Sequence, residues 1–142
     1  MRKPLAALIL AAGRGERMNS DLPKVLHRAA GVPLIRHVID AVHESGVERI
    51  GVVVGAQNKS LSSFLDGAVT VVQKNRLGIA HAVMQARSRF GSGNGDLLIL
   101  PADAPCIRSE TLREVIRDHR KSSASARVLT AEVDNPTGYG RI

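Results

Sequence analysis

Short aliphatic segments that do not alternate with polar residues are the strongest constraint on how this chain folds. Residues 5–11 read Leu-Ala-Ala-Leu-Ile-Leu-Ala without a polar break. A strand with one wet face alternates apolar and polar side chains, whereas an unbroken apolar run fits a strand covered on both faces, as in parallel sheets. The pattern recurs at 49–55, 68–72 and 96–100, bounded by Gly, Asp or Pro, and 126–133 reads as a fifth strand. Between the first two runs, residues 34–45 place Leu34, Val38, Ala41 and Val42 at helical spacing, with Gly46 at the stop. Residues 79–89 and 110–120 repeat the scheme. The latter has Ser109 as its expected N-cap and Leu112, Val115, Ile116 and His119 along one stripe. A weaker helix is expected over 59–65. Strands alternating with helices imply an α/β domain: a Rossmann-like, open, mostly parallel sheet with helices on both faces. Such sheets bind ligands beyond the carboxyl ends of their strands, so the site is expected just after the first and fourth runs.

The 142 residues suit one domain, and a composition 44% hydrophobic and 23% charged is that of a globular chain. Aromatics are only 2%, so aliphatic side chains must build the core. Lys and Arg number 20 against 13 Asp and Glu, and the resulting charge of +7 attracts anions, phosphates first among them. A solvated basic face is the alternative use of this charge. Nucleic acid is not expected as a partner: no helix is packed with Arg and Lys, and two Phe and one Tyr are too few for a base-stacking platform. No run approaches the 18 apolar residues of a membrane span, so no membrane partner is expected. The basic start and apolar stretch mimic a signal peptide, but Gly13-Arg14-Gly15-Glu16-Arg17 stands where small residues for cleavage would be needed. With Cys106 alone there is no internal disulfide to form, and the expectation is a cytoplasmic protein in which Cys106 is a small buried hydrophobe.

Two constellations carry chemistry. The first run leads into Ala11-Ala12-Gly13-Arg14-Gly15-Glu16-Arg17-Met18, a glycine turn whose missing side chains let backbone N–H groups approach phosphate. The dinucleotide fingerprint needs a third glycine where Met18 stands, and a Walker loop needs Gly-Lys-Ser or Gly-Lys-Thr, so neither fits. Leu22-Pro23-Lys24 follows, where proline stiffens the approach and the lysine is a compact cation for a phosphate, or else an ordinary surface lysine. The second constellation is Leu100-Pro101-Ala102-Asp103-Ala104-Pro105. Its aspartate, at the carboxyl end of a buried strand, either holds a divalent cation against substrate phosphates or caps a turn.

These segments, with Val25-Leu26-His27, Gly31-Val32-Pro33-Leu34, Leu77-Gly78-Ile79-Ala80-His81-Ala82 and Asn135-Pro136-Thr137-Gly138-Tyr139-Gly140, resemble bacterial N-acetylglucosamine-1-phosphate uridyltransferases across the whole chain. The fold implied is of the nucleotide-diphospho-sugar transferase type. The resemblance implies a uridine nucleotide over Leu10, Ala11, Ala12 and Gly13, with Gly15 in the same loop. It implies Gln73 and Gly78 at the base with Ile79 beside them, Arg17 and Lys24 on the phosphates, Asp103 on Mg²⁺ with Pro101 and Ala102 beside it, and Gly140 near the sugar. UTP and N-acetylglucosamine 1-phosphate would then give UDP-N-acetylglucosamine and pyrophosphate, with no protein nucleophile. His27 and His81 match the family and are read as packing or hydrogen-bonding residues, while His37, His43 and His119 form no metal-ligand grouping.

Three positions depart from the pattern. Glu16 stands where the family has threonine; at about 4 Å it would repel a phosphate by up to roughly 4 kcal/mol at an effective dielectric near 20, so its side chain must point away. Ile79 replaces a threonine, and Ala102 a glycine. The resemblance also implies that residues 1–142 are the N-terminal part of a longer pyrophosphorylase domain, without a second metal ligand or the acetyltransferase β-helix of the bifunctional relatives. An oligomer is expected only of a longer chain.

Overall fold

A computed structural model describes residues 3–13, 15, 18–57, 59–65, 67–91 and 95–140. In chain order it contains β1 (Leu5–Ala11), a 3-10 turn (Lys24–Leu26), β2 (Arg28–Ala29), β3 (Val32–Pro33), α1 (Leu34–Glu44) and β4 (Arg49–Gly55). A 3-10 segment (Lys59–Phe64), β5 (Val69–Gln73), α2 (Ile79–Gln85), α3 (Arg87–Phe90), β6 (Asp96–Pro101) and α4 (Ser109–Lys121) follow. The main sheet runs β5-β4-β1-β6 with every neighbouring pair parallel, while β2 and β3 make a separate antiparallel hairpin.

Successive side chains of a strand point to opposite faces, and both faces here are covered, as the unbroken apolar runs require. Ala7, Ile9 and Ala11 of β1 join Ile50, Val52 and Val54 of β4 against Ile35, Val38, Ile39 and Val42 of α1 and Leu112 of α4. On the other face, Leu8, Val53 and Val71 pack with Ala82 and Ala86, and Phe90 closes that layer. Fully burying one Leu, Ile or Val contributes about 1.5–3 kcal/mol, so these two layers carry most of the stability.

Gly51 is needed for the second layer. A Cβ built on it would lie 2.5 Å from Phe90 Cζ, so the aromatic ring occupies the space a side chain would take. Arg49 stacks its guanidinium 4.9 Å from the Phe90 ring centroid and donates to the Arg89 carbonyl, fixing α3 over the sheet. At the same, amino end of the sheet, Arg120 donates to Asp96 Oδ2 at 2.9 Å and to the Lys3 carbonyl at 2.8 Å, tying α4 to β6 and the chain start.

The expected elements hold with five differences. Residues 79–89 form two helices that meet at Ala86, a break that brings Phe90 over Gly51. The segment expected at 59–65 is a 3-10 helix. Ser109 is the first residue of α4 rather than its cap: the cap position is Arg108, in extended conformation, and the Ser109 hydroxyl lies 3.3 Å from the Glu110 carboxylate. Residues 126–133 form no strand. Val128, Leu129 and Val133 are exposed, and no neighbouring strand among the described residues meets their backbone groups, without which a strand is not stable. Cys106 is exposed rather than buried, because the turn after β6 sends Ala102 inward and carries the following residues to the surface.

Candidate functional site

An open cleft of about 920 Å³ lies across the carboxyl ends of all four main strands. Its walls come from the loop after β1 (Gly13, Gly15, Met18, Lys24), the turn after β4 (Ala56, Gln57), the turn after β5 (Lys74, Asn75, Arg76, Leu77) and Asp103 after β6. This is where an open parallel sheet places its ligands.

Lys24, from the segment after β1, and Asp103, from the turn after β6, meet here. Pro23, with φ −51° and ψ 134°, starts the 3-10 turn, and the buried Val25 and Leu26 anchor it. Asp103 is set by the sheet: the Ala102 N–H donates to the Leu10 carbonyl at 3.0 Å, continuing the β1–β6 ladder, and the fully buried Ala102 methyl fixes the turn. Lys24 Nζ lies 2.6 Å from Asp103 Oδ2, with both side chains about 35% exposed. At that exposure the pair contributes roughly 0–1 kcal/mol to stability. Its consequence is positional: an ammonium and a carboxylate are held together at the mouth of the cleft, where neither supports the core.

The glycines have different reasons to be there. Gly15 has φ +66°, and a Cβ on it would lie 2.5 Å from Lys24 Cβ and 3.4 Å from Lys24 Cα, so the bare glycine lets the loop close on the lysine. Its carbonyl accepts from the Met18 N–H at 2.8 Å. A Cβ on Gly13 would meet nothing within 4 Å, so the space above it is free for a ligand.

Gln73, the last residue of β5, is 3% exposed. Its Nε2 donates to the Gly78 carbonyl at 3.2 Å and lies 2.9 Å from His81 Nδ1. Gly78, at φ +98°, caps α2, and its carbonyl also receives the Ala82 N–H at 3.1 Å. The structure thus gathers Gln73, Gly78 and His81 into one cluster. Ile79 opens α2 with its side chain 75% exposed.

Of the residues singled out in the sequence, Gly13, Gly15, Lys24 and Asp103 line the cleft. Ala11 and Ala12 bury their methyl groups, so any contact they make with a ligand is through backbone. Leu10, the penultimate residue of β1, pairs in register with Pro101, the last residue of β6. Arg17 and Glu16 lie outside the described residues. Gly140 belongs to the segment after α4 and does not line the cleft. Sequence reasoning missed Lys74 and Arg76, two cleft cations, although the rule that sent it to the carboxyl ends of the first and fourth runs applies equally to β5. Arg76 reaches back over β4: its Nη2 lies 3.0 Å from where a Cβ on Gly55 would be.

No group of three or more His, Cys, Asp or Glu among the described residues could cage a metal. Among the described residues, Asp103 is the one carboxylate lining the cleft. A lone carboxylate suits a hard divalent cation that takes its remaining ligands from water and substrate phosphates. Among the described residues no helix is long and apolar enough to cross a membrane.

Comparison with known proteins agrees with this geometry. The chain is 46% identical over 140 residues to the bifunctional protein GlmU of Syntrophomonas wolfei, covering 97% of this chain and 31% of that protein. It is 44% identical over 139 residues to GlmU of Pelotomaculum thermopropionicum, covering 97% and 30%. The chain therefore spans about a third of the length of these curated relatives. Among solved structures, Rv0371c of Mycobacterium tuberculosis matches at TM-score 0.73 and 22% identity over 85% of this chain and 63% of that one. An apo UDP-glucose pyrophosphorylase matches at TM-score 0.70 and 22% identity over 85% and 55%. At those identities the structural likenesses show the fold, which is that of nucleotide-diphospho-sugar transferases. Residues 7–141 match the MobA-like NTP transferase domain, and the chain belongs to that family of nucleotidyltransferases.

Proposed function

We propose that this domain serves Mg²⁺-dependent uridylyl transfer from UTP to N-acetylglucosamine 1-phosphate, producing UDP-N-acetylglucosamine, a cell-wall precursor, and pyrophosphate. The observation that carries the proposal is the Lys24–Asp103 pair beside a glycine turn at the carboxyl ends of β1 and β6. The sequence likeness to GlmU proteins supports the choice of nucleotide and sugar. A structural relative of this fold, Rv0371c, has been solved as a manganese complex, which supports a divalent cation.

In the reaction an oxygen of the sugar phosphate attacks the α-phosphorus of UTP. A new phosphorus–oxygen bond forms, the bond to the bridging α,β-oxygen breaks, and pyrophosphate leaves with its electron pair. Nothing on the protein is covalently modified, so its contribution is alignment and charge neutralisation. Leu10, Ala11, Ala12 and Gly13 present backbone to the nucleotide, and the open space above Gly13 admits it. Lys24, with Arg17 from the same loop, takes phosphate charge. Gln73 and the Gly78 backbone meet the base with Ile79 alongside, and Gly140 approaches the sugar. Asp103, positioned by Pro101 and Ala102, would hold Mg²⁺, which when bound neutralises phosphate charge. A reaction that draws on UTP suits a cytoplasmic setting.

The test is thermal stabilisation by UTP, CTP, GTP and ATP, with and without Mg²⁺, on the protein and on Asp103→Ala. Ligand at 100 times its Kd adds about 2.7 kcal/mol to stability, a readily visible shift. The expected result is uridine-selective stabilisation that Mg²⁺ enhances and Asp103→Ala weakens. Absence of any nucleotide shift in a cooperatively melting protein would refute it.

A further inference from the structure

The hydrogen bonds around Gln73 leave its amide no choice of orientation, and that choice decides what the amide can recognise. Its terminal nitrogen sits between the Gly78 carbonyl at 3.2 Å and His81 Nδ1 at 2.9 Å. A carbonyl only accepts, so the group facing Gly78 must be the NH₂; the reverse orientation would set two oxygens against each other. The second amide proton then goes to His81 Nδ1, which must be the lone-pair nitrogen of a neutral ring. Its proton is therefore on Nε2, 3.1 Å from the Gln85 amide one helical turn on. Gln85 Nε2 faces that nitrogen in the structure, so Gln85 must make a half-turn of its side-chain amide to present its carbonyl oxygen to the donor. Both protons of Gln73 are consumed, and its Oε1 accepts nothing among the described residues.

We propose that His81 is a positioning residue that, with the Gly78 carbonyl, fixes Gln73 as a pure acceptor and thereby selects a pyrimidine carrying a proton on N3 over one with a lone pair there. This rests on the reading that Gln73 meets the base. Uracil offers an N3–H donor, whereas cytosine N3 is an acceptor and would face Oε1 lone pair to lone pair. A buried polar site left unpaired by the wrong ligand discriminates far more strongly than a difference in apolar size. Neither His81 nor Gln85 needs to touch the ligand. The two act through the amide whose orientation they set.

The test is kcat/KM with UTP and with CTP on the intact protein and on His81→Phe and His81→Asn. Phenylalanine keeps a ring but has no acceptor, while asparagine carries an oxygen near the position of Nδ1. The expected result is that His81→Phe lowers the UTP-over-CTP ratio by about tenfold or more and His81→Asn largely preserves it, which a purely packing role would not produce. Equal losses for both nucleotides, or an unchanged ratio in His81→Phe, would overturn the proposal. A second measurement needs no variant: imidazole ¹⁵N shifts of the unmodified protein report the His81 tautomer. Protonated Nε2 with bare Nδ1 is expected, and a proton on Nδ1 would overturn the lock. A parent protein indifferent to the base would instead sink the underlying reading of Gln73, so the two failures are distinguishable.

Discussion

Replacing Gly15 with alanine tests whether the glycine turn exists to seat Lys24. The new methyl would sit 2.5 Å from Lys24 Cβ, where carbon pairs rest at about 3.5–4.0 Å, so loop and lysine must separate by roughly 1 Å. The nearby Lys24 atoms are Cβ and Cα rather than the flexible end of the side chain, and they cannot swing away cheaply. Alanine at φ +66° costs a further 1–2 kcal/mol or so, and overpacking about 1–3. A combined loss near 3 kcal/mol should lower Tm by roughly 6–12 °C in a domain of this size. Moving Lys24 by about 1 Å should also weaken UTP binding at least tenfold, since misplacements of that size cost up to about a hundredfold in well-aligned sites. Gly13→Ala is the control, because its Cβ meets nothing in the free protein and intrudes only on the ligand. Calorimetric melting and titration of both variants with UTP should show stability and affinity falling together for Gly15→Ala, and affinity alone for Gly13→Ala. A parental melting temperature for Gly15→Ala, or an equal loss of stability in both variants, would refute the reasoning.

In the second core layer, Gly51→Ala should destabilise the fold by about 1–3 kcal/mol through overlap with the Phe90 ring, and adding Phe90→Leu should recover part of it in urea denaturation. Asp103→Asn should change stability by less than about 1 kcal/mol, because its ion pair is partly exposed, while abolishing the Mg²⁺ enhancement of nucleotide binding. Lys74→Ala with Arg76→Ala should weaken triphosphate binding and flatten its salt dependence in titrations at two ionic strengths, as expected when two cleft cations are removed. The Glu110 carboxyl lies below the usual carboxylate range, through a hydrogen bond from its own backbone N–H and then the charge of Arg113. A depressed folded pKa stabilises above the unfolded value and is lost as pH falls through the folded one. The stability gap between the protein and Glu110→Gln, measured by urea titration, should therefore close in acid.

The strands with the clearest continuous apolar runs were legible to the residue. Residues 5–11 and 49–55 became β1 and β4 because a strand covered on both faces admits no other composition. The segment at 126–133 is interrupted by Arg127, Thr130 and Glu132, and its apolar residues would make a strand only if a neighbour met its backbone, which a sequence does not announce. Helix ends followed local chemistry where a glycine supplied it. Ser45 Oγ closes on the Val42 carbonyl at 2.7 Å, and Gly46 takes φ +88°, ending α1 as expected. Within the site, Lys24 and Asp103 could be suspected singly from a glycine turn and a strand end, yet only the β1–β6 register brings them together. The Gln73 cluster was legible through resemblance alone, because a buried glutamine carries no pattern of its own. Lys74 and Arg76 were lost in an overall basic composition that did not say which cations faced inward.

The two residues of the ion pair are 79 positions apart and join only once β6 has docked beside β1, after the chain has traversed α1, β4, β5, α2 and α3. Contacts that span long loops are slow to form, because the entropy of closing the loop is spent before the contact rewards it. A chain emerging from synthesis can complete the β1-α1-β4 unit while the cleft still lacks its wall at β6. On the proposed reading of the cleft, competence to hold a nucleotide is expected late in folding, and ligand-dependent protection from proteolysis would time the docking of β6 directly.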